Sequence, residues 1–449
     1  MAYSLHAGII SPPLTMAEEN KQPKQIPPDY AAKLKAARAK RSMQGERRVV
    51  SILFCDVVGS THMAEQLDPE DWAEIMDDAF DHMIAPIYRY EGTVARLMGD
   101  AVLAFFGAPL AHEDDPQRAV LAGLAILEAI NPFCQHVKKE FGLDFNVRVG
   151  INTGAVVVVE IGSDLQMEYT AMGDAVNLAA RMEQTATAGM VQISQHTYKH
   201  VAPLFEVEAL GDIEIKGKSK SQSSYSVIRP KAEPGRLRGI TGLVSPLIGR
   251  ENEFEAASKA MEEVHQGRGS ILMLLGEAGL GKSRLIEELR LKWVKEHEDA
   301  PWVETRGVSY DSTRPYILFR NLLRTMCVIT DYDSPEDVRR KVEEAIAETP
   351  ESHRKQFGEG IKILLEFEQT PDDSAVQGEA LKKHLFDNLI EIFRGTAGTA
   401  PFALVCDDLH WADDASIELL IHLMKLVEEV PILIVAAMRP YRKSPGWRV

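Results

Sequence analysis

Apolar and polar positions along the chain follow two rhythms, one of period two and one of three-and-four. VVSILFC (49–55) is short, β-branched and apolar, which predicts a buried strand. After it, Met63, Leu67, Trp72, Ile75, Met76, Phe80 and Ile84 recur at helical spacing. TVARLM (93–98) and AVLAFFG (101–107) read as two strands joined by a tight turn at Gly99-Asp100. Residues 114–140 read as a helix, and VRVGINTGAVVVV (147–159) as a strand region punctuated by glycines. DAVNLAARMEQTA (174–186) reads as a helix opened by Gly173-Asp174. Short strands follow at 190–193, 204–208, 211–215 and 224–228. Strands interleaved with helices over 46–230 predict an α/β sandwich.

KAEPGRLRGITGLVSP (231–246) is rich in Pro, Gly and Arg and reads as a linker. A second α/β domain is expected over 247–449, with strand-loop-helix at 270–290, helices from 315 to 395, and strands at 402–406 and 431–437. Two domains suit a chain of 449 residues, since one core rarely grows past roughly 250–300 residues. Residues 1–45 look like a tail broken by Pro12, Pro13, Pro23, Pro27 and Pro28, then DYAAKLKAARAKRS as a short basic helix. That helix suits either a solvated linker or a surface for a membrane or an acidic partner.

Charge and cysteine content narrow the function classes. The 50 Lys and Arg against 67 Asp and Glu give a net charge of −17. A nucleic-acid coat protein would carry a basic footprint, so no nucleic-acid partner is indicated. Cys55, Cys134, Cys327 and Cys406 are scattered without a CxxC, which argues against a zinc ribbon or a disulfide framework. No stretch approaches the ~18 apolar residues of a membrane span, and the first residues lack the pattern of a signal peptide. The expected location is cytoplasmic.

The strongest local motif is GEAGLGKS (276–283), which fits GxxxxGK[ST] between the strand SILMLL and a helix. Gly276, Gly279 and Gly281 let backbone amides converge on phosphate oxygens at a helix N-terminus. Lys282 supplies a point charge to the terminal phosphates, and Ser283 a hydroxyl for Mg²⁺. FALVCDDLHWAD (402–413) places Asp407 at the carboxyl end of a strand, where it would hold the metal of Mg²⁺–ATP. Asp408 is then the candidate base for attacking water, unless both aspartates merely cap a helix. LIGRENEF (247–254), GEAGLGKSR (276–284) and DDLHWAD (407–413) together resemble the signal-transduction ATPases with numerous domains, a branch of the P-loop ATPases. The resemblance implies an ATP-driven switch with a helical lid after the last core strand. The sequence stops at Val449, soon after the last core strand, so either it is a fragment or the switch is incomplete, which leaves ATP turnover by this half open. Arg439 is a candidate γ-phosphate sensor.

A second constellation lies upstream. FCDVVGST (54–61) puts Asp56 directly after a strand, and LMGDAV (98–103) puts Asp100 in a turn. Two carboxylates at neighbouring strand ends suit two divalent cations, although aspartates in turns are also common for purely local reasons. Val57, Gly59, Ser60 and Thr61 lead into a helix whose amides could hold phosphate. Asn177 and Arg181 lie four apart on one helical face, so both can reach one ligand.

FCDVVGST, GTVARLMGDAVLAFFG (92–107), RVGINTG (148–154), EYTAMGDAVNLAARM (168–182) and IEIKGKS (213–219), in that order, resemble the class III nucleotidyl cyclase catalytic domain. The resemblance implies a ferredoxin-like α/β sandwich followed by the parallel-sheet P-loop domain. It implies conversion of ATP to 3′,5′-cyclic AMP and pyrophosphate with two Mg²⁺ or Mn²⁺ ions on Asp56 and Asp100. Asn177 would orient the ribose, and Arg181 would stabilise the transition state. Lys216 would bind the triphosphate, with Lys218 as the second candidate for that role. Arg96 and Thr170 occupy the base-reading positions, where adenylyl-specific members commonly carry Lys and often Asp; ATP is favoured over GTP. The family's sites lie between subunits, so a head-to-tail homodimer is expected and a monomer should be inactive. The rival expectations are a nucleotide-sensing regulator that does not turn over, and a transcription regulator, for which no helix-turn-helix is legible.

Overall fold

The computed structural model describes residues 30–35, 44–163, 166–172, 174–213, 221–231, 247–277, 279–296, 300–310, 314–329, 333–348 and 379–449, with scattered positions between 351 and 361. The chain divides into two compact units, residues 1–197 with 209–226, and residues 198–208 with 227–449. The linker expected at 231–246 falls outside the described residues from 232 on.

The first region is built on an eight-stranded mixed sheet. Its strands are β1 (Gln44–Val57), β2 (Thr93–Met98), β3 (Ala101–Phe106), β4 (Val147–Ser163), β5 (Gln166–Met172), β6 (Val191–Ser194), β7 (Phe205–Ile213) and β8 (Gln222–Pro230). The order is β2-β3-β1-β4-β6-β8-β7, with β5 on β4. β1 is central and antiparallel to both β3 and β4.

The strands read as continuous apolar runs because both faces of the sheet are covered. Val50, Ile52 and Phe54 pack with Ala179 of helix α5 (Asp174–Thr185). On the other face the Cys55 thiol donates to Met83 Sδ at 3.4 Å in helix α3 (Pro69–Arg89). Helix α4 (Asp115–Phe141) lies on that same face, with Gly123 against Val149 and Val191. Among the described residues α4 alone is long and apolar enough to cross a membrane, at a mean hydropathy of 1.3. Here its apolar residues Ala119, Val120, Ile126, Ile130 and Val137 are buried in the fold.

Several expectations change. The helical reading from Met63 to Ile84 splits into α2 (Ser60–Ala64) and α3, because Pro69 starts a new helix. The two strands expected at 204–208 and 211–215 are one, β7. Gly211, at φ +88°, makes a bend within it rather than a break. β5 was not anticipated. Of the expected basic helix only 30–35, α1, is described, and this part is docked; the rest lies outside the described residues. Tyr30 and Leu34 are buried, the Tyr30 hydroxyl donates to Glu91 O at 2.7 Å, and Lys33 pairs with the Glu91 carboxylate at 2.6 Å.

The second unit carries a parallel sheet ordered β10-β11-β12-β9. These strands are β9 (Ser270–Leu275), β10 (Trp302–Arg306), β11 (Phe402–Asp407) and β12 (Ile432–Met438). β10 escaped the sequence reading, since WVETR is short and half polar. Ala403, Val405, Leu433 and Val435 pack on α7 (Glu251–His265) and α8 (Lys282–Glu296) through Met261, Leu289 and Trp293. Leu404, Cys406, Ile434 and Ala436 face the opposite way, into the cluster of Phe319, Leu385 and Phe393. Cys55, Cys327 and Cys406 are buried and reduced, whereas Cys134 is partly exposed.

Candidate functional sites

The upstream constellation assembles at one end of the central strands. Asp56 pairs in register with Ala101, so the neighbouring turn residue Asp100 comes up beside it. Gly99 adopts φ +64° in that turn, a conformation that costs a residue with a Cβ. Burial raises the pKa of the Asp56 carboxyl, Arg148 counteracts this, and the Asp100 charge raises it further. Two carboxylates that repel each other in this way suit divalent cations. Mg²⁺ in particular binds through one or two carboxylates plus phosphate oxygens of its ligand. Among the described residues no group of three or more His, Cys, Asp or Glu side chains is arranged as a metal cage.

Gly59, at φ +74°, turns the chain from β1 into the five-residue helix α2, which begins at Ser60. The first amides of a helix lack intrahelical acceptors, so those of Ser60 and Thr61 are available near Asp56. Arg96 is exposed on β2, just past a register shift between Val94 and Arg96. Thr170 pairs with Val159 in the β4–β5 ladder; its side chain is outside the described atoms. Lys216 and Lys218 lie outside the described residues. Asn177 is exposed on α5 and Arg181 half-buried.

Two residues in this site were not singled out from the sequence. Arg148 lies directly across from Asp56 in the β1–β4 register. Its Nη2 donates to Asp56 Oδ2 at 2.9 Å. Its Nε forms an ion pair with Glu183 Oε1 at 2.6 Å, although that contact is not aligned as a hydrogen bond. Burial, together with the neighbouring Asp56 and against the pull of Arg148, pushes the Glu183 carboxyl up to about 7. The legible signal was the alternation inside RVGINTG. Arg148, Gly150, Asn152 and Gly154 share one face of β4, and each meets α5. A Cβ on Gly150 would lie 2.0 Å from Glu183 N, and one on Gly154 would lie 2.8 Å from Ala175 Cβ. Between them, Asn152 Nδ2 donates to Ala175 O at 2.8 Å.

In the second unit the glycine-rich loop joins β9 to α8. Gly279 and Gly281 adopt φ +80° and +86°, as a loop that turns its amides inward requires. Gly276 N donates to Met438 O at 3.3 Å, so the end of β12, with Arg439 next in sequence, abuts the loop. Lys282 Nζ donates to the Gly276 and Glu277 carbonyls at 2.8 and 3.1 Å. The Ser283 hydroxyl donates to Asp407 Oδ2 at 3.2 Å, which brings together the two expected metal-binding groups. Arg250, from the segment LIGRENEF, donates to Leu280 O at 3.2 Å and so buttresses the loop. Asp408 is engaged elsewhere: its carboxylate accepts from Arg306 Nε at 2.9 Å. Asp413 serves as a double cap. It accepts from Ser416 N at the start of helix Asp414–Leu423 and from Tyr316 N and Ile317 N at the start of helix Ile317–Met326.

Comparison with known proteins matches residues 43–228 to the adenylate and guanylate cyclase catalytic domain and residues 246–435 to an AAA ATPase domain. An uncharacterized protein of Rhizobium meliloti is 26% identical over 397 residues, 88% of this chain and 38% of its own length. An adenylate cyclase of Mycobacterium tuberculosis is 32% identical over 217 residues, 46% of this chain and 47% of its own. The crystal structure of the adenylyl cyclase CyaB from P. aeruginosa is 30% identical, covers 41% of this chain and 96% of that one, and superposes with a TM-score of 0.39. This chain thus spans less than half the length of either curated relative.

Proposed function

With residues 43–228 belonging to the adenylate and guanylate cyclase catalytic domain family and residues 246–435 to the AAA ATPase domain family, we propose that this protein is an adenylate cyclase governed by an ATP-binding P-loop domain. The convergence of Asp56 and Asp100 on one turn carries the reading. Their carboxylates would hold two Mg²⁺ or Mn²⁺ ions, which when bound lower the pKa of the attacking 3′-hydroxyl and offset the triphosphate charge. The amides that begin α2 face phosphate oxygens. Arg148 sets a fixed guanidinium beside the carboxylates, where a polyphosphate would meet it. Asn177 orients the ribose, and Arg181 stabilises charge building on the α-phosphate. Lys216 binds the triphosphate. Arg96 offers its planar donors to the adenine edge and Thr170 a hydroxyl; ATP is the substrate in this reading and GTP the competitor. Asp56 and Asp100 of one protomer work with Asn177 and Arg181 of its partner, in a head-to-tail homodimer.

In the P-loop domain Lys282 and the loop amides hold the ATP phosphates, while Ser283 and Asp407 hold Mg²⁺. The domain acts as a switch on the cyclase. Purified protein with ATP and Mn²⁺ or Mg²⁺ is expected to form cyclic AMP, and Asp100→Ala to abolish it. No cyclic nucleotide from ATP or GTP with either metal would leave the regulator reading in its place. The coupling fails if Lys282→Ala leaves the cyclase rate unchanged across ATP concentrations.

A further inference from the structure

Helix α5 is joined to the carboxylate site through Glu183, which meets both Arg148 and the Asp56 carboxyl. Arg148 lies between β1 and α5, with Asp56 on one side and Glu183 on the other. It holds Asp56 Oδ2 at 2.9 Å, Glu183 Oε1 at 2.6 Å and the Gln184 carbonyl at 3.3 Å. The Arg148, Asp56 and Glu183 side chains are 25%, 18% and 9% exposed, so this is a semi-buried triad rather than a surface pair. Low exposure strengthens each of these charge interactions and makes an unpaired member costly.

Glu183 occupies a constrained position. Its backbone rests on Gly150, where no side chain fits. Its carboxylate therefore reaches Arg148, two residues along the same face of β4, from a fixed base. Two residues before Glu183 on the same helix stands Arg181, and six before it Asn177.

We propose that Glu183 is a positioning residue, which fixes the Arg148 guanidinium against Asp56 and so ties the helix bearing Asn177 and Arg181 to the metal-binding carboxylates. The inference rests on the cyclase reading of this unit. Without Glu183, Arg148 loses the ion pair that aims it, and the Asp56 carboxylate loses a fixed partner. In the head-to-tail dimer Asp56 serves one site, while Asn177 and Arg181 of the same chain serve the other. The Glu183–Arg148 contact then joins the two sites within each protomer, and placement of a metal at one is felt by the transition-state residues of the other.

The test compares the full-length protein with Glu183→Gln and Glu183→Asp. Mn²⁺ is titrated alone and followed by electron paramagnetic resonance, with Asp100→Asn as the reference for site-specific binding. Cyclic nucleotide formation is measured over a range of ATP. Removing a group that orients a metal ligand typically costs 10–100-fold in metal affinity or activity. Glu183→Gln is therefore expected to weaken Mn²⁺ binding and to lower kcat by about 10-fold or more. Glu183→Asp, which keeps the charge on a shorter arm, should fall between. If Mn²⁺ affinity and kcat both stay within about 2-fold of wild type in a variant that melts like it, the proposal is overturned. Should Glu183→Gln fail to fold, the Glu183→Asp comparison decides alone, since a retained Mn²⁺ affinity and kcat would equally overturn it. A wild type that binds Mn²⁺ through Asp100 yet forms no cyclic nucleotide would refute the cyclase reading, and the Mn²⁺ titration would still judge Glu183.

Discussion

Arg306 and Asp408 stand at the ends of neighbouring parallel strands and close an ion pair at 2.9 Å, with side chains 17% and 4% exposed. Asp408 holds its carboxylate there from a left-handed backbone, φ +54°. Next to the pair, Gly307 has no room for a Cβ, which would lie 2.6 Å from Asp408 O. Arg306→Ala removes the guanidinium paired with a buried carboxylate and should destabilise the protein by about 3–5 kcal/mol. The double variant Arg306→Ala/Asp408→Asn should recover much of this loss, because the neutral amide needs no counter-ion. Denaturant midpoints of both variants check it. An equal loss in single and double variants would show that the guanidinium stabilises through packing instead.

Glycine substitutions separate close packing from backbone conformation. Gly150→Ala drives a Cβ to 2.0 Å from the α5 backbone, so helix or strand must move. A cost of about 1–3 kcal/mol or more is expected, together with loss of cyclase activity. Gly142→Ala meets nothing within 4 Å and pays only for its φ of +72°. That cost is about 1–2 kcal/mol, with activity kept. Thermal melts and rate assays of both variants check the contrast.

A pH effect is expected from His112. Its Nε2 lies 3.0 Å from Glu91 Oε2 and its Nδ1 3.3 Å from Asp115 Oδ1. Only the imidazolium can donate from both nitrogens. Burial opposes that charge, but the bonds to Asp115 and Glu91 prevail and raise the His112 pKa. The stabilisation is therefore complete below the unfolded-state value of about 6.5 and fades as pH rises through the higher folded value. Melting temperature should fall as pH rises above about 6.5 in wild type. It should fall less in His112→Gln.

Asp413 caps two helices with one carboxylate, and loss of an N-cap costs about 0.5–2 kcal/mol. Asp413→Ala should then cost about 2–4 kcal/mol, since both helices lose their caps and four donors lose their acceptor. Asp413→Asn, which keeps the acceptor oxygen, should cost less than half of that. Urea titration of the full chain measures both.

The local elements were legible because buried strands and amphipathic helices write their periods directly into the sequence. The P-loop was legible because its glycines, Lys282 and Ser283 are contiguous. What escaped depends on register or on context. Arg148 and Asp56 are 92 positions apart and meet only because β1 and β4 align residue for residue. Glu183 reads as a surface charge on a helix until Gly150 shows how closely that helix lies. Asp408 reads as a base beside Asp407, and only the unanticipated strand β10 brings Arg306 to it. DYAAKL reads as a solvated basic helix, since nothing local reveals that Tyr30 and Lys33 meet Glu91.

The seat of α5 on β4 also sets a length. From Gly150 to Gly154 the strand advances about 13 Å, at 3.3 Å per residue. From Ala175 to Glu183 the helix advances about 12 Å, at 1.5 Å per residue. The two repeats coincide over this span, so both glycines sit beneath the helix at once, and a slip of one helical residue would break both contacts. Strand and helix are indexed to each other like the teeth of a rack. Arg148, Asn177 and Arg181 are thus carried on one strand-and-helix pair whose spacing the two glycines set, with Asp56 on the adjoining strand.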